Sequence, residues 1–155
     1  MSATPLMTLR AFLFNISFYV WTAIISLAGA PGLIFFDDRY GRAVARVWMR
    51  VTNFLLRWIV GLTYEVRGRE NLPKGPSIIA SKHQSAWETM IFNLLVPDLV
   101  VGLKEELERI PVFGWYVNGC GFVKIDRGGA ATALRSLITG AKERLSRGCT
   151  LLLFP

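Results

Sequence analysis

Hydrophobic and polar positions divide the chain into a front that is apolar almost without interruption and a back in which short apolar runs alternate with amphipathic ones. No residue from Ala11 to Phe36 is charged. At about 1.5 Å per residue, Ala11 to Ala30 alone is long enough as a helix to reach across a hydrocarbon core of roughly 30 Å. The run Gly29-Ala30-Pro31-Gly32 breaks that helix before the apolar Leu33-Ile34-Phe35-Phe36. A single crossing and an anchor that bends back both fit the pattern. A cleavable leader and a buried core helix are the competing readings. The first is disfavoured because the apolar run is longer than a leader's core and Pro31 would directly follow the cut after Ala28-Gly29-Ala30.

The next segment has helical periodicity. Arg39, Arg42, Arg46, Arg50 and Arg57 fall within about 80° of one another at roughly 100° per residue, while Val47, Trp48, Val51, Phe54, Leu55, Trp58 and Ile59 fill the rest of the circumference. Asp37 and Asp38 supply an N-terminal cap, and Gly61 supplies a stop. A basic amphipathic helix with two tryptophans reads as an in-plane interfacial helix with its arginines among phosphate headgroups. The alternative is a helix packed on the body with a solvated basic face.

Beyond Gly61 the period changes. Leu62 to Val66 alternates as a strand, Asn71 to Pro76 is dense in turn residues, and Ser77 to Ala80 is a short buried strand. Trp87 to Val96 reads as helix, Leu99 to Leu103 as strand, Pro111 to Val117 as a short helix and Gly121 to Ile125 as strand. Ala130 to Ser146 is a helix closed by Gly148, and Thr150 to Phe154 is a final apolar strand. This alternation predicts an α/β fold in one sheet domain, with ligand chemistry at the strand ends. The division expected is a membrane-associating helical region over 1–61 and the sheet domain over 62–155.

Composition sharpens the membrane reading. Of 155 residues, 52% are hydrophobic and 19% charged, which excludes a disordered chain. The net charge of +7 suits an anionic partner, and five of those charges are the arginines between 39 and 57, with no acid among them. Nucleic acid would also accept a basic stripe, but no base-reading chemistry accompanies this one, and the apolar front favours lipid. Cys120 and Cys149 lack metal-type spacing and read as reduced and structural.

The only histidine, His83, lies in Ser81-Lys82-His83-Gln84-Ser85-Ala86-Trp87-Glu88, just past a strand and at the start of a helix. An imidazole can take a proton from an alcohol near neutral pH, and a carboxylate on its other nitrogen fixes the tautomer. On a regular helix, residues five apart point about 140° apart, so His83 and Glu88 meet only if His83 precedes the first turn. Ser85 is a weaker candidate nucleophile, since no elbow glycines flank it.

Four blocks then carry a resemblance: Lys82-His83-Gln84-Ser85-x-x-Glu88; Lys104-Glu105-Glu106-Leu107 with Ile110-Pro111-Val112-Phe113-Gly114-Trp115; Gly121-Phe122-Val123-Lys124-Ile125-Asp126-Arg127; and Leu152-Leu153-Phe154-Pro155. In this order they resemble the 1-acylglycerol-3-phosphate acyltransferase family of membrane glycerolipid acyltransferases, over about Leu62 to Pro155. The resemblance implies hydrophobic N-terminal helices followed by the family's α/β sheet domain. It also implies transfer of a fatty acyl group from a thioester, acyl-CoA or acyl-carrier protein, to the free hydroxyl of lysophosphatidic acid, giving phosphatidic acid. His83 would be the general base and Glu88 its orienting acid, with Arg127 and Lys104 as phosphate contacts. No metal or cofactor is needed, and the partners implied are membrane phospholipids and the two substrates, not nucleic acid. The expected location is the cytoplasmic face of a membrane, that of a bacterial inner membrane. Other acceptors, such as glycerol 3-phosphate, a lyso-ornithine lipid or another lysolipid, and a non-catalytic lipid-binding role are the alternatives. Two departures stand out. Lys82 and Glu88 replace the Asn and Asp of the family's Asn-His-x-x-x-x-Asp, and the block that usually runs Phe-Pro-Glu-Gly-Thr-Arg ends at Phe154-Pro155. The expectation is a chain truncated within the sheet domain.

Overall fold

The computed structural model describes residues 4–126 and 128–154, Ala86 by its backbone only. Helix α1 spans Pro5–Gly29, with Thr4 as its N-cap and Pro5 in the first turn, where a missing N–H costs nothing. The turn at Ala30-Pro31 leads into the short α2, Gly32–Phe35. Asp37 then caps α3, Asp38–Leu55, its carboxylate accepting the Arg39 N–H at 3.2 Å. A π-type turn over Leu56–Val60 closes on Gly61, whose φ of 82° is a conformation that favours glycine. The apolar front therefore bends back. Helix α1 returns along α3, where the Trp21 indole N–H donates to the Trp48 carbonyl at 3.2 Å and the Trp48 indole N–H donates to Thr22 Oγ1 at 2.9 Å.

The body is a fully parallel four-stranded sheet, β1 Ile78–Ala80, β2 Leu99–Lys104, β3 Val123–Ile125 and β4 Thr150–Leu153, in the order β1-β4-β2-β3. The last strand slots between the first two, pairing Ile79 with Leu152 and Val100 with Leu151. Crossovers carry α4 Ala86–Leu95, α5 Phe113–Gly119 and α6 Ala130–Ser146. Helix α6 covers Val100, Val123 and Leu151 on one face, while Phe92 and Leu95 of α4 cover Leu99, Val101 and Leu152 on the other. Covering both faces accounts for the unbroken apolar strands. Cys120 and Cys149 are buried free thiols, and burial pushes Cys120 up to about 12.

Two expectations are corrected. Leu62 to Val66 forms no strand: it pairs with nothing among the described residues, and Leu62, Tyr64 and Val66 are exposed. Alternation sets which side chains share a face but does not provide a ladder partner. The arginine stripe also does not turn as a unit to lipid headgroups. Arg42 is only 5% exposed and lies 3.2 Å from Asp38, 3.4 Å from Asp98 and 3.2 Å from the Cys120 carbonyl. Arg46 donates to the Asn93 carbonyl in the last turn of α4, at 3.2 Å. Helical geometry gathers the arginines on one side, and the body's acid and helix C-terminus capture the middle of that side. Arg39, Arg50 and Arg57 remain exposed.

Helix α3 meets α5 at very short range because Gly41 lies against the Gly119 carbonyl, leaving no room for a Cβ. Gly41→Ala should therefore lower the melting temperature by several degrees, since backbone, not a mobile side chain, must move. Gly75→Ala, with nothing within 4 Å of the added methyl, should be near neutral. Thermal unfolding of the two variants side by side checks this, and equal melting temperatures would contradict it.

Candidate active site

His83, Glu88 and Lys104 gather at the carboxyl ends of the strands. The Ser81 N–H donates to the Leu153 carbonyl at 2.9 Å, so the chain leaves β1 still alongside β4. Residues 81–85 then cross to α4 without helical structure, which places His83 before the first turn. The spacing condition is met: His83 Nδ1 lies 3.0 Å from Glu88 Oε1.

Glu88 is the third residue of α4 and Ser85 its N-cap, the positions of a Ser-x-x-Glu capping box. The Glu88 carboxylate accepts from the Gln84 N–H and, at 3.3 Å, from the Ser85 hydroxyl. The Ser85 backbone N–H, first, and then the Gln84 N–H and the His83 ring hold this carboxyl below the usual glutamate range, against desolvation. Glu88 is thus an anion at neutral pH, and an imidazole that donates Nδ1–H to this carboxylate keeps its Nε2 lone pair for taking a proton. The Ser85 hydroxyl is bonded to Glu88, not to His83, an arrangement that does not activate it as a nucleophile. The His83 ring leans on Phe154, centroids 4.7 Å apart, so the residue that follows β4 supports the imidazole.

His83 sits on the wall of an apolar cavity of about 820 Å³, within the size range of ligand sites. Thr22, Ser26 and Trp48 wall it from the helical hairpin, Met90 from α4, and Leu103 and Phe122 from the sheet side. Val112 lines it from a γ-turn of the rarer hand, φ 67° and ψ −51°, with the Phe113 N–H donating to the Pro111 carbonyl at 2.7 Å. A β-branched residue held there is strained, and the site concentrates that strain at the cavity wall. Lys104, at the end of β2, also lines the cavity. Glu108 does not pair with it. That carboxylate takes Lys124 Nζ at 2.8 Å and the Asn118 amide at 3.1 Å, bonds that lower its pKa. Arg127 lies outside the described residues. Its neighbour Asp126 accepts the Gly128 N–H at 2.8 Å.

The Acyltransferase family pattern matches residues 63–155. The chain belongs to that family. It is 39% identical over 143 residues to a 1-acyl-sn-glycerol-3-phosphate acyltransferase of Pseudomonas aeruginosa, covering 92% of this chain and 54% of that protein. It is 29% identical over 111 residues to the Saccharomyces cerevisiae protein of that name, covering 70% and 37%. The chain thus spans about half or less of the length of these relatives. The crystal structure of the Thermotoga maritima PlsC acyltransferase shares the fold, with a TM-score of 0.69 at 24% identity over 96% of this chain and 61% of that one.

Sequence reasoning placed His83 and Glu88 together but missed Phe154 as the support of the imidazole. It also missed the hairpin as a cavity wall. Thr22 and Ser26, four apart on α1, were the available signal, since small polar side chains on one side of an apolar helix mark a close approach.

Because the Glu88 pKa is depressed in the fold, the stability it contributes is fully present above the unfolded value of about 4.3 and is lost as pH falls through the lower folded value. Its carboxyl should titrate below an ordinary glutamate, with the start of α4 fraying in step, and Glu88→Gln should remove that acid transition. NMR titration of the carboxyl carbon checks this; a midpoint at or above the ordinary value would contradict it.

Proposed function

We propose that the chain is the His83-bearing part of an acyltransferase that esterifies the free hydroxyl of a lysophosphatidic acid from an acyl thioester, acyl-CoA or acyl-carrier protein. The carrying observation is the His83–Glu88 pair at 3.0 Å on the wall of an apolar cavity large enough for an acyl chain. The acceptor O–H gives its proton to His83 Nε2 as its oxygen bonds to the thioester carbonyl carbon. Collapse of the tetrahedral intermediate breaks the C–S bond, and the proton passes from the imidazolium to the departing thiolate. Glu88 holds the ring and stabilises the imidazolium. Arg127 and Lys104 are assigned to the acceptor phosphate, Arg127 by its place in the family's block and Lys104 by its place on the cavity.

A second acceptor class has its own support, since the chain is also 30% identical over 116 residues to a lyso-ornithine lipid O-acyltransferase of Pseudomonas aeruginosa. Presenting the protein, expressed from its complete reading frame, with lysophosphatidic acid, glycerol 3-phosphate and a lyso-ornithine lipid separates the classes. Transfer to none of them would leave a lipid-binding role. In this assay His83→Ala should lower turnover by about 100- to 10,000-fold, the usual contribution of a general base. Glu88→Asp, which restores the family's residue, should keep or raise activity. A His83→Ala protein within a few-fold of wild type would make the histidine structural.

Residues 1–61 are assigned to the membrane as a returning hairpin, and the sheet domain, 62–155, to its cytoplasmic face. The 25-residue α1 is apolar around most of its circumference and largely exposed, yet it lies along α3, which Arg42 ties to the body. A full crossing by α1 would have to break that packing. Arg39, Arg42, Arg46 and Arg50 against the single Arg10 favour the cytoplasmic side. Replacing Arg39, Arg50 and Arg57 with Gln should weaken the preference for anionic vesicles by about 1 kcal/mol per charge without releasing the protein from neutral ones. Flotation with both vesicle types reads this, and an unchanged preference would contradict it.

A further inference from the structure

Helix α5 has two unlike sides. Tyr116 faces inward, where its hydroxyl donates to the Ser26 carbonyl at 3.0 Å and its ring lines the catalytic cavity. Trp115 faces outward and is 57% exposed. It borders a separate groove of about 770 Å³ together with Leu27, Ile34, Phe35 and Phe36. Those four are also exposed, Ile34 and Phe35 by about four-fifths. They come from the end of α1 and from α2, so residues some eighty positions apart form one outward apolar surface. Gly119 at the end of α5 packs against Leu33 at a distance that admits no side chain, which fixes the two parts relative to each other.

The polar groups bordering this groove are already engaged within the protein. Asn118 is bonded to Glu108, which also holds Lys124. Asp38 is bonded to Arg144 at 2.7 Å and to Arg42 at 3.2 Å. Isoleucine, phenylalanine and tryptophan side chains therefore make the outward chemistry here. A polar partner would find little to bond. The surface also continues directly into α1, the helix whose apolar circumference calls for lipid.

We propose that α5 of the sheet domain is a second point of membrane insertion, with Trp115 and the α2 aromatics seated together in the headgroup–acyl boundary of one leaflet. This rests on the membrane assignment of α1 above but not on the catalytic reading. It fixes the orientation of the body: one side of α5 meets lipid while the other lines the cavity beside it. A tryptophan at that depth is in its favoured position, with its ring in the acyl boundary and its N–H at the headgroups.

The full chain can be tested by placing an environment-sensitive nitrobenzoxadiazole label at Trp115→Cys. Phe35→Cys serves as the reference within the surface, and Lys142→Cys, exposed on α6, as the reference outside it. Native Cys120 and Cys149 are buried and resist labelling. In vesicles of phosphatidylethanolamine and phosphatidylglycerol, the labels at 115 and 35 should shift to the blue, lose quenching by an aqueous collider and gain quenching by doxyl lipid, while the label at 142 does none of these. A 115 label that behaves like 142 while 35 inserts would overturn the proposal. So would protection at 115 that is already present in dilute detergent and accompanied by self-quenching, which would identify a second copy of the chain on this surface. If neither 115 nor 35 inserts, the membrane assignment fails with it. None of these readings depends on whether the protein turns over substrate.

Discussion

The arrangement of helices over the sheet depends on Arg42. Its guanidinium, almost wholly buried, is shared by Asp38 on its own helix, Asp98 in the loop before β2 and the carbonyl of Cys120 just past α5. Arg144 of α6 reaches the same Asp38, so one charge cluster ties α3 to α6, to the loop before β2 and to the end of α5. The guanidinium is the buried member, whereas Asp98 stands half in water, so it is Arg42 that would be left as an uncompensated charge if its partners were removed. The cavity beside His83 is enclosed between the sheet and α1 and α3. Its shape is therefore a consequence of this cluster more than of the apolar residues that line it.

Close glycine contacts hold what the charge cluster positions. Gly41 against Gly119 and Gly29 beside the Tyr116 hydroxyl bring α3, α1 and α5 nearer than side chains would allow. With those distances set by backbone, the cavity wall has little freedom to expand. The strained Val112 turn is held against the same region, its conformation fixed by the hydrogen bonds on either side of it.

Much of this was legible in the chain itself. The parallel sheet follows from unbroken apolar runs separated by helical ones, and the fold of the Thermotoga maritima acyltransferase matches that reading. The break at Ala30-Pro31, the Asp37 cap and the Gly61 stop were local signals, and local chemistry decided them. His83 and Glu88 came together because the start of a helix is also a local structure. What stayed hidden was long-range. Asp98 is 56 residues from Arg42 and Asn93 is 47 from Arg46, and nothing in a helical wheel announces such partners. The stripe was legible, but the surface it meets was not. Leu62 to Val66 shows the same limit, since a strand needs a neighbour and alternation says nothing of one.

Glu88 answers to two structures at once. Its carboxylate finishes the first turn of α4 and fixes the ring of His83. The helix cannot form its start without also readying the imidazole, and no stretch of chain has to be organised afterwards to do so. The same economy restricts what substitution can achieve. A residue chosen to adjust the basicity of the histidine also alters the beginning of the helix, and one chosen to firm the helix alters the histidine. Few side chains satisfy both geometries with a full negative charge, so Asp in the family pattern and Glu here are alternative lengths of a single solution.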